Sequence, residues 1–539
     1  MARRRTTSAL RSLAAGAGSL GLATSAVSIA TIIVIGLVLI AACTDEPRIR
    51  GAREAAAKGA KADQRDVEPF FQEVSDAIGA RTPPSRTWGS AFVDFDRDGW
   101  PDLLVGRHLR KALLLRNRSG LSFSLLDEPS LTVVEEGRTY YDRHGCAWGE
   151  ANGDGSPDAY CAAGAQSGEG EGRNQLLLQT RSGLRDAAAE MDVQDALGRG
   201  RSVHWLDFDG DGDLDLFVGN EIRSGRPNVL FENLGGEGFV RADAGLSVET
   251  PTRSSSWTDW DNDGDPDLVV LGHGFVGSRA YRNIGGHYEE VVVPSLTGQS
   301  WLSASWGDFD VDGWADVALV SETRLLIMRN ERGSFREIRS LSLDAGRMAA
   351  WLDVDNDGDL DAFVLQGQPG DPPASGAVNA PDFFLLNREG AFRVNLSDSV
   401  RGPRRGNDES VAVSDYDRDG RLDLHVTEGY LNVLGGQRLL TNRTSIGNWI
   451  GVELDGPDQN PFGIGSRIVA DTGKSRLHYF MNDGVAFASQ SEIGYAHVGL
   501  GSANEAVIRV TWPDGTSSCI RSEASEIVRL SYGSAGCPE

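Results

Sequence analysis

The chain has 539 residues, 40% of them hydrophobic and 24% charged, with a formal net charge of −26. That length holds a large core and more than one domain. The charge, with no basic patch set against it, disfavours a nucleic-acid partner.

Residues 1–43 read as an export or anchor segment. Arg3, Arg4, Arg5 and Arg11 precede an apolar run that is densest over 29–42, and no acidic residue occurs before Asp45. The run ends Ile40-Ala41-Ala42-Cys43, which is similar to the lipobox of bacterial lipoproteins and implies lipidation of Cys43 with loss of the leader. Uncleaved, residues 20–42 are long enough to cross a bilayer as a hydrophobic helix. Both alternatives hold the remainder on the outer side of a membrane, facing periplasm or cell exterior. Residues 44–68 lack an apolar stripe and read as a solvated tether.

A repeat begins after residue 69. Seven nine-residue segments carry acidic or amide side chains at positions one, three, five and nine and glycine at six. They are Asp94, Asp96, Asp98, Asp102; Glu150, Asn152, Asp154, Asp158; Asp207, Asp209, Asp211, Asp215; and Asp259, Asp261, Asp263, Asp267. Then come Asp308, Asp310, Asp312, Asp316; Asp353, Asp355, Asp357, Asp361; and Asp415, Asp417, Asp419, Asp423. Short carboxylates two residues apart converge on one hard cation, and glycine permits the sharp turn, so each segment is a candidate calcium loop. Up to seven Ca2+ ions are expected, and ordering of each loop on binding follows from the repulsion it relieves. These segments together carry −27, leaving the rest of the chain about neutral at +1.

The loops start 56, 57, 52, 49, 45 and 62 residues apart, a period that marks a stacked or radial repeat. Each period reads as four short strands: one into the loop, one from its ninth position, one ending near an Asn, and one around an aromatic. That is the pattern of propeller blades. The Asn recurs at 117, 233, 283, 330, 387 and 442, with Gln179 in the second repeat. Two residues before each loop stands Phe92, Trp148, Trp205, Trp257, Trp306, Trp351 or Val413, expected to pack between blades.

Six to eight residues before five of the loops come Arg86, Arg143, Arg201, Arg253 and Arg347. At the start of innermost strands they would ring the mouth opposite the loops and favour an anionic ligand, unless neighbouring carboxylates pair them. Cys146 and Cys161 bracket the second and most degenerate loop, and Cys519 and Cys537 bracket the last segment; export makes both disulfides plausible. The eight histidines fall in no zinc spacing, and no G-x-S-x-G or CxxC motif occurs.

These loops resemble the FG-GAP and VCBS repeats of the integrin alpha-subunit propeller, as do Phe71-Gln72-Glu73-Val74, placed at the opening of the first blade, and Trp306-Gly307-Asp308. Gly463-Ile464-Gly465-Ser466-Arg467-Ile468, Ser489-Gln490-Ser491, His497-Val498-Gly499-Leu500-Gly501 and Trp512-Pro513-Asp514-Gly515 resemble the ASPIC and UnbV domain. Together the two parts resemble bacterial relatives of cartilage acidic protein. The expectation is an all-β chain: a seven-bladed propeller over 69–446, a small β domain over 447–532, and a tail over 533–539. The resemblance implies a calcium-binding extracellular protein of adhesive type, with a protein or glycan partner and no catalysis. The alternative is a secreted hydrolase or lyase acting on an anionic polysaccharide at the arginine-lined face. A channel plugged by apolar side chains favours the binder; a polar channel with two unassigned acids near the arginines favours the enzyme.

Overall fold

The computed structural model describes residues 67–534 except 84, 109, 132–142, 165–172, 222–226, 247–251, 273–276, 370–377, 403–406, 430–436 and 487. The leader, Cys43, the tether up to residue 66 and Cys537 lie outside the described residues, as do the Gly- and Glu-rich residues 166–172 and the Pro- and Ala-rich residues 370–377. No helix among the described residues is long and apolar enough to cross a membrane.

Seven blades of four antiparallel strands form the ring, numbered here in order of their loops, and in blade 1 a later hairpin extends the sheet to six strands. The innermost strands are Thr87–Val93, Arg143–Gly149, Gly200–Leu206, Thr252–Thr258, Ser303–Gly307, Gly346–Leu352 and Asp408–Ser414, each running into an acidic loop. Each touches the innermost strands of the blades before and after it, and the first touches the last, so the ring closes. Every second strand begins on the ninth-position aspartate, from Asp102 in blade 1 to Asp423 in blade 7.

Closure is made by an early piece of chain. Phe71–Glu73 pairs with Arg438–Asn442, Phe71 opposite Asn442, and so supplies the outer strand of blade 7. The expectation that Phe71–Val74 opens the first blade is therefore corrected. The segment is too short to be stable alone and gains its partners only by completing a sheet whose other three strands come from the far end of the repeat.

Phe92, Trp148, Trp205, Trp257, Trp306 and Val413 are buried between blades, while Trp351 is half-buried. Trp205 Nε1 donates to Ala147 O at 3.1 Å and Trp351 Nε1 to Ser305 O at 2.9 Å, each on the preceding blade. Burial of side chains of this size contributes about 2–3 kcal/mol apiece.

The C-terminal domain has a three-stranded sheet with Asn448–Asp455 between Tyr495–Gly501 and Glu526–Ser531, and a four-stranded sheet running Arg476–Phe480, Arg467–Asp471, Glu505–Thr511, Ser517–Glu523. Ile450, Val452, Ile468, Val498, Ile508 and Trp512 fill the space between them. One hairpin leaves this body. Val485–Ala486 and Ser489–Gln490 enter the propeller channel, where Gln490 pairs in parallel with Ala91 of blade 1.

Candidate functional sites: seven acidic loops and the domain that covers them

The loops repeat one hydrogen-bond scheme. The first carboxylate accepts the N–H groups of positions five and six in blades 1, 4, 5, 6 and 7, as Asp308 does from Asp312 at 3.0 Å and Gly313 at 2.8 Å. Asp207 takes Gly210 and Gly212 instead, and Glu150 takes Asn152, Gly153 and Asp154. The ninth-position aspartate turns one oxygen to the backbone of the Asn that ends the third strand, as Asp316 does to Asn330 N at 2.7 Å.

That Asn then reaches into the neighbouring blade. Asn117, Asn233, Asn283, Asn330, Asn387 and Asn442 donate their side-chain N–H to the position-two carbonyl of the previous loop, and Gln179 does the same in blade 2. The sequence pattern displays the recurring Asn but not this job. Each loop is tied to the next around the ring, so the geometry of one acidic turn is a condition for its neighbour.

The donor set fits a divalent cation. In Asp94/Asp96/Asp102, Asp207/Asp209/Asp215, Asp259/Asp261/Asp263, Asp308/Asp310/Asp316 and Asp353/Asp355/Asp357, one oxygen from each residue lies within 4.8 Å of the others. In five of the seven loops the position-three oxygen is left over: Oδ1 of Asp96, Asp261, Asp310, Asp355 and Asp417 is buried with no hydrogen-bond partner, as are Asp213 Oδ1 in blade 3 and Asp423 Oδ2 in blade 7. A buried carboxylate oxygen without a partner is costly, and its recurrence in register marks where a cation would be held. Burial pushes the first-position carboxyls up, to about 6 for Asp94, Asp207 and Asp259 and about 7 for Glu150 and Asp308. The ninth-position carboxyls rise further, to about 8 for Asp102 and Asp158 and about 9 for Asp215, Asp267 and Asp316, again chiefly through burial with neighbouring carboxylates adding to it.

An arginine beside the terminal Asn clamps the outer oxygens in four of the loops. Arg116 pairs with Asp96 and Asp98, Arg282 with Asp261 and Asp263, Arg329 with Asp310 (2.7 Å) and Asp312 (2.9 Å), and Arg388 with Asp355 (2.6 Å) and Asp357 (2.8 Å). In blade 7 Arg421 and Arg443 serve Asp419. Blade 3 puts Glu232 there, and Asp209 is pushed up by burial first, then by Asp211 and to a smaller extent by Glu232. The Arg-Asn and Asn-Arg dipeptides carry this signal in the sequence, and it is missed without the structure.

The fourth position is left-handed in every loop, at φ 56° for Arg97, 57° for Asn262, 61° for Val311, 56° for Asn356 and 51° for Arg418, with Gly153 and Gly210 in blades 2 and 3. Four of these side chains meet the C-terminal domain. Asn262 Oδ1 lies 3.4 Å from Arg467 Nη1, and Arg467 Nη2 donates to Gly313 O at 2.8 Å. Val311 packs on the C-terminal core. Asn356 Oδ1 accepts from His497 Nε2 at 2.8 Å, and its carbonyl accepts from Gly501 N. Arg418 pairs with Glu492 and lies 4.1 Å over the Tyr495 ring. A Cβ on Gly499 would stand 1.9 Å from Asp353 Oδ2, and one on Gly420 2.0 Å from the Trp449 ring, so these contacts demand glycine.

The hairpin in the channel satisfies inner-strand edges. Ser489 Oγ accepts Ser90 N at 3.0 Å, Gln490 Oε1 accepts Trp148 N at 2.7 Å, Asp483 accepts Trp205 N at 3.1 Å, and Ser491 Oγ accepts Val413 N at 3.1 Å. The Gly-Ile-Gly-Ser-Arg, Ser-Gln-Ser and His-Val-Gly-Leu-Gly motifs thus include the residues that seat the domain on the ring.

The arginine mouth is corrected in its charge. The arginines do begin the innermost strands, but Arg201 pairs with Glu221, while Arg253 and Arg347 stand 3.8 and 4.0 Å from Glu409. Arg143 donates to Leu131 O and Gln175, and Arg86 is half-buried with interactions of its own. Two acids do stand near the arginines, yet they are committed to ion pairs above a plugged channel. Arg201 falls to about 10, mainly through burial. Cys146 and Cys161 face each other in register and are joined; Cys519 is also disulfide-bonded.

Comparison with known proteins agrees with this architecture. The FG-GAP-like repeat family matches residues 112–218, 259–319, 308–364 and 353–426, and the ASPIC and UnbV family matches 456–535. The chain belongs to the FG-GAP repeat family and carries a C-terminal ASPIC and UnbV domain. It is related to cartilage acidic protein 1 of Xenopus tropicalis, 26% identical over 525 residues, covering 86% of this chain and 77% of that protein. The human protein of that name is 25% identical over 509 residues, covering 83% and 73%. Among solved structures, the Dos1 propeller overlaps 70% of this chain and 95% of its own at TM-score 0.39 and 9% identity. An Agrocybe aegerita lectin specific for non-reducing terminal N-acetylglucosamine overlaps 63% and 88% at TM-score 0.41 and 14% identity.

Proposed function

We propose that this is an exported, membrane-tethered binding protein, non-catalytic, whose propeller is stiffened by calcium and whose partner is an extracellular protein or glycan. The observation that carries the calcium reading is the buried position-three oxygen left without a partner in five loops. In each loop the side chains at positions one, three, five and nine would hold the ion. It would neutralise carboxylates that burial otherwise keeps above their ordinary range. The role is mechanical, because the same loops fix the Asn links between blades and the seat of the C-terminal domain. The non-catalytic reading draws support from the commitment of the acids: those in the loops to the metal set, those at the opposite mouth to arginines.

Calorimetry of the chain from residue 69 onward, stripped of metal and titrated with calcium, tests the first part; five or more ions and a higher melting temperature are expected. A melt unmoved by calcium, with none found by elemental analysis, would sink it. A glycan and surface-protein binding screen with and without calcium tests the second part.

A further inference from the structure

The hairpin that enters the channel does not fill it evenly. Its hydrogen bonds go to blades 1, 2, 3 and 7, and against blade 1 it is tight: a Cβ on Gly89 would stand 1.8 Å from Ala488 O. On the side of blades 5 and 6 two adjoining cavities remain, of about 210 and 150 Å³, with Trp306 and Trp351 in the walls of both. The larger also has Phe480, Tyr479 and Leu360 in its wall, all half-buried, so it is reachable from solvent.

Three polar atoms of the lining residues are buried without a partner: Trp306 Nε1, Tyr495 Oη and His497 Nδ1. Trp306 is 9% exposed and His497 7%. Trp205 and Trp351 give the same indole N–H to a carbonyl of the preceding blade, whereas Trp306, like Trp148 and Trp257, keeps it unspent. Asn356 Nδ2 is spent on Gly420 O, which makes Asn356 Oδ1 the acceptor of His497 Nε2–H and leaves Nδ1 with a free lone pair. The lining residues therefore carry an indole donor, an imidazole acceptor and a hydroxyl able to act as either, between aromatic faces.

Charge narrows the ligand. The lining contains Asp353 and Glu492 but no Lys or Arg, and Glu492 is already neutralised by Arg418, so an anion has no counter-charge. Size narrows it too, since an apolar cavity of about 150 Å³ accommodates a benzene ring.

We propose that this cavity, between the hairpin and blades 5 and 6, binds a small uncharged ring compound with a hydrogen-bond donor and an acceptor, of the phenol or indole class. The site is independent of the calcium reading, and it is formed jointly by propeller and C-terminal domain.

The test titrates the whole chain from residue 69, in calcium, with phenol and with indole, followed by tryptophan fluorescence and calorimetry; benzoate is the anionic control. Saturable one-to-one binding of phenol or indole, at least tenfold tighter than benzoate, is expected. Leu422→Trp, which fills the larger cavity beside His497, or Ala350→Phe, which fills the adjoining smaller one, should abolish it, the second variant serving should the first not fold. Trp306→Phe, which keeps the packing and removes the N–H, should weaken phenol at least fivefold. Non-saturable signals overturn the proposal. So does binding that survives the filling variant, or benzoate binding as well as phenol.

Discussion

The loops of blades 1 and 3 and those of blades 5 to 7 share a sequence pattern but not a setting. A Cβ on Gly99 or Gly212, at position six, would meet nothing within 4 Å, whereas one on Gly313, Gly358 or Gly420 would meet Arg467, Leu477 or Trp449. The first group is open to solvent and the second lies under the C-terminal domain. Position four tracks the difference. Val311, Asn356 and Arg418 contact the domain, while blade 3 has Gly210. A β-branched residue such as Val311 disfavours left-handed backbone, so its packing on the C-terminal core offsets a local cost. One turn therefore serves two ends: it gathers carboxylates inward and presents a fourth side chain outward.

The largest expected effect divides these groups in time. On the proposed calcium reading, chelation should lower the melting temperature by at least about 10 °C, since ions held only by the folded state stabilise it. In a chelator chase, calcium should leave the open loops fast and the covered loops slowly, in two resolved phases. A single phase would show that the covering domain does not control exchange.

Next comes the ion pair under the cover. Arg418→Ala leaves Glu492 buried without its partner and should cost about 3–5 kcal/mol in chemical denaturation. Arg97→Ala, at the same position of an open loop, should stay within about 0.5 kcal/mol. Equal losses would erase the distinction between the two settings.

Acid should strike the centre and the cover together. His425 in the channel wall and His497 under the domain are held neutral, their pKa values lowered to about 3 by burial. An unfolded histidine titrates near 6.5, so their contribution is whole above that pH and is lost as pH falls toward 3. About 2 kcal/mol per histidine should be gone by pH 5, and His497→Gln should remove one share of that slope in calcium-loaded protein.

The smallest change sharpens the contrast among the open loops. Glu232→Arg gives blade 3 the clamp that blade 1 has in Arg116. It should raise the metal-free melting temperature by about 2–4 °C, for a gain near 1 kcal/mol in a domain of this size. Calcium-loaded protein should change less.

The fold was legible because its unit is local. A nine-residue pattern repeated seven times, with apolar runs on either side, states blade number, strand order and innermost strand without any long-range knowledge. The long-range pieces were not legible. Phe71–Glu73 looks like any short strand, and its partner lies more than 350 residues away. Ser489-Gln490-Ser491 has no periodicity to read, because its side chains act one by one on edges of three blades. For the site, the carboxylates were visible and the Asn links and arginine clamps were not, though both stand in register. The arginines at the other mouth were located correctly, but the acids that meet them, Glu221 and Glu409, come from different blades and different registers.

The channel hairpin has a consequence for how the molecule is made. Four inner strands keep bare N–H groups until residues 483–491 arrive, and those residues lie in the last ninth or so of the polypeptide. Synthesis delivers that portion last, so a ring assembled earlier stays unfinished at its axis. A prematurely stopped chain would reveal itself there, as an adhesive hub open to any passing β-strand.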